Sequence, residues 1–422
     1  MSSNNKQAPT QQRRSPLFLM ALTILIDFTG FGLILPSLPF WAQHLGANAL
    51  EVGLIITVYA LAQFLFTPVL GSLSDHYGRK PIITISLLIE AASLALTALA
   101  GSLPLLLAAR FVGGIGASNI GSAQAVVSDI TTPQERAKGM GLIGAAIGLG
   151  FVIGPALAGI LSPLGQAVPF WVAGAVALLN ALLVLCFFPE THKQRASTGM
   201  QLHAGWAALF SGWRNAFRQR TIARLVGINF LFTVAFTAME AIFALFSQHT
   251  FGWGAVQNGY VFTYIGVLIV IMQGGLVGQL VKRWNEQRVM IGGLVLLGIG
   301  LILLAFSTQI AWLLLTLAIL SIGDGAVTPT VSTLLSFSSV ADAQGETLGF
   351  AQGMAGLARV IGPLLAGLLY DRIGAGIPFI AGGILGILAV LLALSPLPIP
   401  DRAKASIATG ENAKTPLATS EH

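Results

Sequence analysis

The decapeptide Val152-Ile-Gly-Pro-Ala-Leu-Ala-Gly-Ile-Leu161 returns 208 residues later as Val360-Ile-Gly-Pro-Leu-Leu-Ala-Gly-Leu-Leu369, identical at eight of ten positions. Both copies lie inside long apolar runs. Other pairs keep nearly the same offset: Gln43-His44 with Gln248-His249, Gly71-Ser-Leu73 with Gly278-Gln-Leu280, and Gly114-Ile-Gly116-Ala117 with Gly323-Asp-Gly325-Ala326. The chain therefore reads as one half built twice. Parallel repeats of a many-helix half are one plan of membrane transporters, in which cargo is held between the halves near the bilayer midplane.

Composition points the same way. Of 422 residues 55% are hydrophobic and only 9% charged, with 49 glycines, far from the composition of a soluble domain. Stretches of about 20 apolar residues, enough to span a bilayer, fall at roughly 17–40, 51–73, 81–100, 103–127, 138–161, 168–188, 222–247, 257–280, 288–307, 310–334, 348–370 and 376–396. The expectation is an all-α membrane protein of twelve transmembrane helices in two pseudo-symmetric six-helix bundles, 17–188 and 222–396. A tail (1–16), a linker (189–221) and a second tail (397–422) complete the chain. Arg13-Arg14 before the first apolar run imitates a twin-arginine signal, but the run lacks a small-residue cleavage site and reads as an uncleaved first helix. Cys186, the single cysteine, has no intramolecular partner.

Lys and Arg in short loops favour the cytoplasm. Arg79, Lys80, Arg136, Lys138, Lys193, Arg214, Arg218, Arg220, Lys282, Arg283 and Arg288 all fall on one side of the bundle, with the basic residues of both tails, and only Arg372 falls on the other. Both termini and the linker are thus expected to be cytoplasmic, in a bacterial-type inner membrane. The linker's Trp206, Trp213 and Phe217 among arginines suit an amphipathic helix at the interface. A net charge of +6 could suggest nucleic acid, but the charges are dispersed over separate loops rather than gathered in a stripe.

Between the second and third spans runs Gly71-Ser-Leu-Ser-Asp75-His-Tyr-Gly78-Arg79-Lys80. It resembles the signature of the major facilitator superfamily, Gly-x-Leu-x-Asp-x-x-Gly-Arg-Lys. The physical expectation is a latch: Asp75 at the positive N-terminus of a facing helix, the eleventh, and Arg79 on Asp129 at the end of the fourth. The second-half counterpart, Gly278-Gln-Leu-Val-Lys282-Arg283, keeps the basic residues and loses the acid. Gly150-Phe-Val-Ile-Gly154-Pro155-Ala-Leu-Ala-Gly159 resembles that superfamily's antiporter motif except at Ala158, and Gly362-Pro363 repeat its centre. Four-residue glycine spacing allows close helix approach, and proline bends the helix.

Asp27-Phe-Thr-Gly-Phe-Gly-Leu-Ile-Leu-Pro36-Ser-Leu-Pro39 and Leu106-x-x-x-Arg110-x-x-x-Gly114-x-Gly116 resemble the twelve-helix drug:proton antiporters, tetracycline efflux proteins in particular. Those pumps carry an acid about where Ser93 stands here, and Glu90 is the nearest substitute. The resemblance implies export of a lipophilic, cationic or zwitterionic compound in exchange for protons, by a monomer working by alternating access. The same machinery moving a lipid, sugar or metabolite is the alternative, with a non-transporting membrane sensor or scaffold behind it.

Six charges lie within spans: Asp27, Glu90, Arg110, Glu240, Asp324 and Arg359. Each costs at least about 2.5–3.5 kcal/mol to insert unpaired. Depth along the helices, at about 1.5 Å per residue, predicts Asp324 paired with Arg359 as a structural ion pair, and Glu90 with Arg110. Asp27 and Glu240 are then left for coupling or binding, so Asp27, Glu240, Asp324 and Glu90 are the candidate proton carriers. Phe232, Phe236, Glu240 and Phe243 share a helical face, as do Asp27 and Phe31. With Arg110, Asn119 and Gln124 they form the candidate cavity lining. A carboxylate among phenylalanines attracts a lipophilic cation. The histidines show no metal-ligand spacing, no catalytic triad converges at one depth, and neither metal nor cofactor is expected.

Overall fold

The computed structural model describes residues 14–131, 133–191, 219–339 and 344–395. The interfacial helix expected around Trp206 and both tails lie outside the described residues. Among the described residues, twelve helices are long and apolar enough to span: α1 (Pro16–Ile34), α2 (Ala49–Tyr77), α3 (Arg79–Ala98), α4 (Leu103–Ile130), α5 (Lys138–Leu164), α6 (Val168–Phe187), α7 (Arg220–Phe251), α8 (Ala255–Trp284), α9 (Glu286–Ala305), α10 (Ile310–Ser338), α11 (Thr347–Arg372) and α12 (Ile377–Leu394). The first run, read as 17–40, stops earlier: Leu35 to Ser37 turn, and a separate short helix, Leu38–His44, follows with proline in its first turn.

Helix ends follow the local chemistry. Asn48 and Glu51 form a reciprocal cap at the start of α2, each side chain accepting the other's backbone N–H at 2.9 Å. One residue joins α2 to α3: Gly78 at φ 108°, a conformation that side chains disfavour. The corresponding joint between α8 and α9 is Asn285 at φ 66°, whose side chain accepts the Arg288 N–H at 3.0 Å. The second half thus keeps the turn of the signature loop while losing its acid.

Packing repeats as the sequence does. Helix α1 lies against α5 and α6 as α7 lies against α11 and α12, and α3 against α4 and α6 as α9 against α10 and α12. The two halves meet along α2–α11 and α5–α8. The repeated decapeptide builds both seams. Gly154 abuts the backbone of Thr29 and Gly32 on α1, and Gly362 abuts Val234 and Thr237 on α7. The carbonyl of Pro155 rests on Gly259 of α8, and that of Pro363 on Gly53 of α2. Thr57 Oγ1 donates to Val360 O at 3.0 Å, and Thr263 Oγ1 stands 3.5 Å from the equivalent Val152 O.

The seams are closed at one end only. Contacts run along α2–α11 from Gly367 against Ala49 and Leu50 to Gly356 against Phe64. Towards the linker end, a Cβ at Gly71, Gly141, Gly144, Gly274, Gly275, Gly278 or Gly349 would meet nothing within 4 Å among the described residues. The halves therefore part on the linker side.

Candidate substrate and coupling site

Glycines in α4 assemble the first charged cluster. A Cβ on Gly114 would strike the Tyr59 carbonyl of α2, and one on Gly116 would strike the Glu90 and Ser86 backbone of α3. With neither present, α2, α3 and α4 close together around Tyr59, Glu90 and Arg110. The Arg110 guanidinium lies over the Tyr59 ring, 4.5 Å from its centroid, and its charge faces Glu90.

Asp27 joins this cluster rather than standing apart from it as expected. Its carboxyl interacts electrostatically with that of Glu90, with Asn119 alongside. The expected Glu90–Arg110 pair is likewise looser than an ion pair: none within 4.0 Å forms among the described residues. Asp27 Oδ1, Glu90 Oε2 and Arg110 Nε are sealed without a partner. Arg110 and Asn119 are buried. Gln124 shares a small pocket with Thr23, Asp27, Phe28 and Asn119, between α1, α3, α4 and α5. Phe31 packs on Tyr59 and Phe151, with centroids 6.1 and 5.8 Å away. Ser93 donates to Ala109 O at 2.7 Å under Gly113, where α3 crosses α4. A longer acid has no room there, whereas Glu90, one turn earlier, has.

The second cluster corrects two expectations. Arg359 interacts electrostatically with Glu240, not with Asp324. Depth gave the level of both residues, but the azimuth of α11 is set by Gly362 seating on α7. Asp324 is buried and feels the Glu240 charge. Phe243 is fully buried edge-on to Phe262, at 5.6 Å, and Phe232 is also buried. Both belong to the core, and of the stripe only Phe236 and Glu240 retain accessible surface.

At the linker side Arg79 reaches three partners: Asp75, Asp129 at 3.1 Å and Ser74 Oγ at 2.7 Å. The Arg79–Asp129 expectation matches this geometry. Asp75 turns to Arg79 of its own motif, while the start of α11, its expected neighbour, borders residues outside the described ones. Sequence reasoning missed Glu190, whose carboxylate accepts the N–H groups of Arg79 at 3.0 Å and Lys80 at 3.2 Å and so caps α3 from the first residues after α6. At the opposite end it missed Asp371, which accepts the Ala49 and Leu50 N–H groups at the start of α2. The exposed amides of α2 signal the need for an acceptor, but not that it lies more than 300 residues away.

Comparison with known proteins agrees with this arrangement. The profile of the Major Facilitator Superfamily matches residues 20–288 and 275–421. A class C tetracycline resistance protein of Escherichia coli is 32% identical over 357 residues, covering 84% of this chain and 89% of its own. Multidrug resistance protein 2 of Bacillus subtilis (strain 168) is 27% identical over 388 residues, covering 91% and 95%. The crystal structure of the human organic anion transporter MFSD10 superposes with a TM-score of 0.70 at 26% identity, over 92% of this chain and all of that one. The matched family comprises transporters rather than enzymes, and the twelve apolar helices make this chain an integral membrane protein. The chain belongs to the Major Facilitator Superfamily.

Proposed function

We propose that the chain exports a lipophilic, charged drug-like compound in exchange for protons, as a monomer in an inner membrane with both termini and the linker cytoplasmic. The observation that carries the proton reading is the Asp27–Glu90 contact. Two interacting carboxyl groups within a membrane favour a proton on one of them, because ionising both there is unfavourable, and Arg110 beside Glu90 stabilises the charge left when that proton departs. On the orientation set by the basic loops, the parted linker side opens to the cytoplasm, where cargo would enter. Glu240 and Phe236 then meet cargo in the second half while Asp27 and Glu90 handle the proton in the first.

Kinship with tetracycline and multidrug resistance proteins supports export of drug-like compounds. The human relative is an organic anion transporter, so kinship leaves open the sign of the cargo's charge. The test is accumulation of dyes and antibiotics in inverted vesicles carrying an imposed acid-inside pH gradient. Accumulation should appear with the gradient and vanish when an ionophore collapses it. Accumulation indifferent to the gradient would overturn proton exchange.

A further inference from the structure

Arg359 sits halfway along α11, exposed within the protein surface, and among the described residues it forms no ion pair within 4.0 Å. The side it faces can be read from the contacts of its helix. At about 100° per residue, Gly356, Val360, Pro363 and Gly367, which meet α2, lie roughly 70° to one side of it. Ala351 and Gly362, which meet α7, lie roughly 70° to the other. Leu368, exposed to the surroundings, points the opposite way. Arg359 therefore faces the wedge between α2 and α7, the space between the halves, and not lipid.

Glu240 faces the same space. On α7 it falls between Thr237, which meets α11, and Phe243, which meets α8, and it is partly accessible. Arg359 and Glu240 interact electrostatically without closing into a salt bridge. A mid-membrane guanidinium left unpaired is stable only where water or a ligand reaches it. Its planar fork is suited to a carboxylate, which it can hold by two parallel hydrogen bonds.

We propose that Arg359 is the anion-recognising residue of the central cavity and that, with Glu240 taking a cationic centre, it selects zwitterionic cargo carrying a carboxylate or comparable acid over purely cationic analogues. This deepens the transport reading given above and rests on it. The pair supplies one charge of each sign at one level, so a dipolar cargo satisfies both groups, whereas a simple cation leaves the guanidinium facing a like charge.

The experiment uses the full chain in lipid nanodiscs, with fluorescence binding of rhodamine B, which bears a free carboxylate and a cationic ring system, and of its ethyl ester, which keeps only the cation. Wild type should favour the acid. Arg359→Gln should weaken the acid by about tenfold or more, the loss of a charge-assisted contact, and leave the ester within about twofold, while Arg359→Lys should keep the order of preference. Equal weakening of both dyes in Arg359→Gln, or a wild type that prefers the ester, would overturn the proposal. Because binding is measured without a pH gradient, loss of gradient-driven transport with the dye preference intact would overturn proton exchange alone and leave the recognition pair standing.

Discussion

The carboxylate of Asp371, at the end of α11, accepts the N–H of Leu50 in the first turn of α2 at 2.8 Å and that of Ala49 at 3.3 Å. This single side chain ties one half to the other at the end away from the linker. Asn48 already satisfies the next amide, that of Glu51, so the first turn of α2 has its donors met only while the halves touch. The equivalent position on α5 is Pro163, which has no carboxylate, and the second seam relies on Gly159 against Gly259. Charge at a helix N-terminus contributes about 0.3–1 kcal/mol at exposed sites and up to about 2 when partly buried. Asp371→Ala should shift the balance of states by a corresponding factor of several towards opening on that side. A cysteine at buried Leu245, beside Tyr370, should then react faster with an impermeant maleimide in a Cys186→Ser background. An unchanged labelling rate would remove the tie as a determinant of that equilibrium.

At the other end, Arg79 binds Asp75, Ser74 and Asp129 within the first half, well away from Glu240 and Asp27. Arg79→Ala should slow turnover by about tenfold or more, consistent with losing buried charge-assisted contacts, while equilibrium substrate affinity stays within a few-fold. Affinity and transport rate measured on the same preparation decide this. A selective loss of affinity at normal turnover would place Arg79 at the cargo site instead.

The fold was legible because its determinants are periodic. Apolar length fixed the twelve spans, the decapeptide fixed the repeat, and the glycine spacing at Gly154 and Gly362 forecast close helix approach, which the structure shows on α1 and α7. The pairing of buried charges was not. Depth along a helix is linear in sequence, but rotation about its axis is set by which small residues meet which neighbour. Rotation about the helix axis gives Arg359 the charge of Glu240 as its partner instead of Asp324, and gives Asp27 that of Glu90. Phe243 shows the same limit: it shares a stripe with Glu240, yet a 60° difference sends it into Phe262 and the core. Asp371 and Glu190 act on helix ends remote in sequence, which no local pattern encodes.

The seam between Gly159 and Gly259 offers a direct test of backbone contact. A Cβ on Gly259 would stand 2.7 Å from both Gly159 Cα and Pro155 O, and the obstructing atoms are backbone, which cannot rotate away. Gly259→Ala should weaken the closed state by about 1–3 kcal/mol, the usual scale of overpacking. Gly274→Ala, on the same helix where nothing lies within 4 Å, should change little. Thermal unfolding of both variants in detergent, with the fraction closed judged by Leu245→Cys labelling, separates them. Equal behaviour of the two would mean that the tight seam does not hold the halves together.

Asp27 and Glu90 interact electrostatically, and among the described residues Asp27 Oδ1 and Glu90 Oε2 have no hydrogen-bond partner; a proton shared by this pair is the one the exchange cycle would use. Asp27→Asn and Glu90→Gln preserve size and keep a hydrogen bond available, since an amide can donate to the surviving carboxylate, but each removes one ionisable group. Uphill transport driven by a pH gradient should fall to near background in both, while downhill exchange of cargo persists. The Glu240→Gln variant should differ: its coupling survives, and cargo bearing a cationic centre binds more weakly by roughly 1–2 kcal/mol, the scale of a desolvated cation contact. Gradient-driven uptake and counterflow measured side by side distinguish these outcomes. Full proton-driven transport by Asp27→Asn together with Glu90→Gln would remove the pair from coupling, and loss of coupling confined to Glu240→Gln would move the proton to the second half.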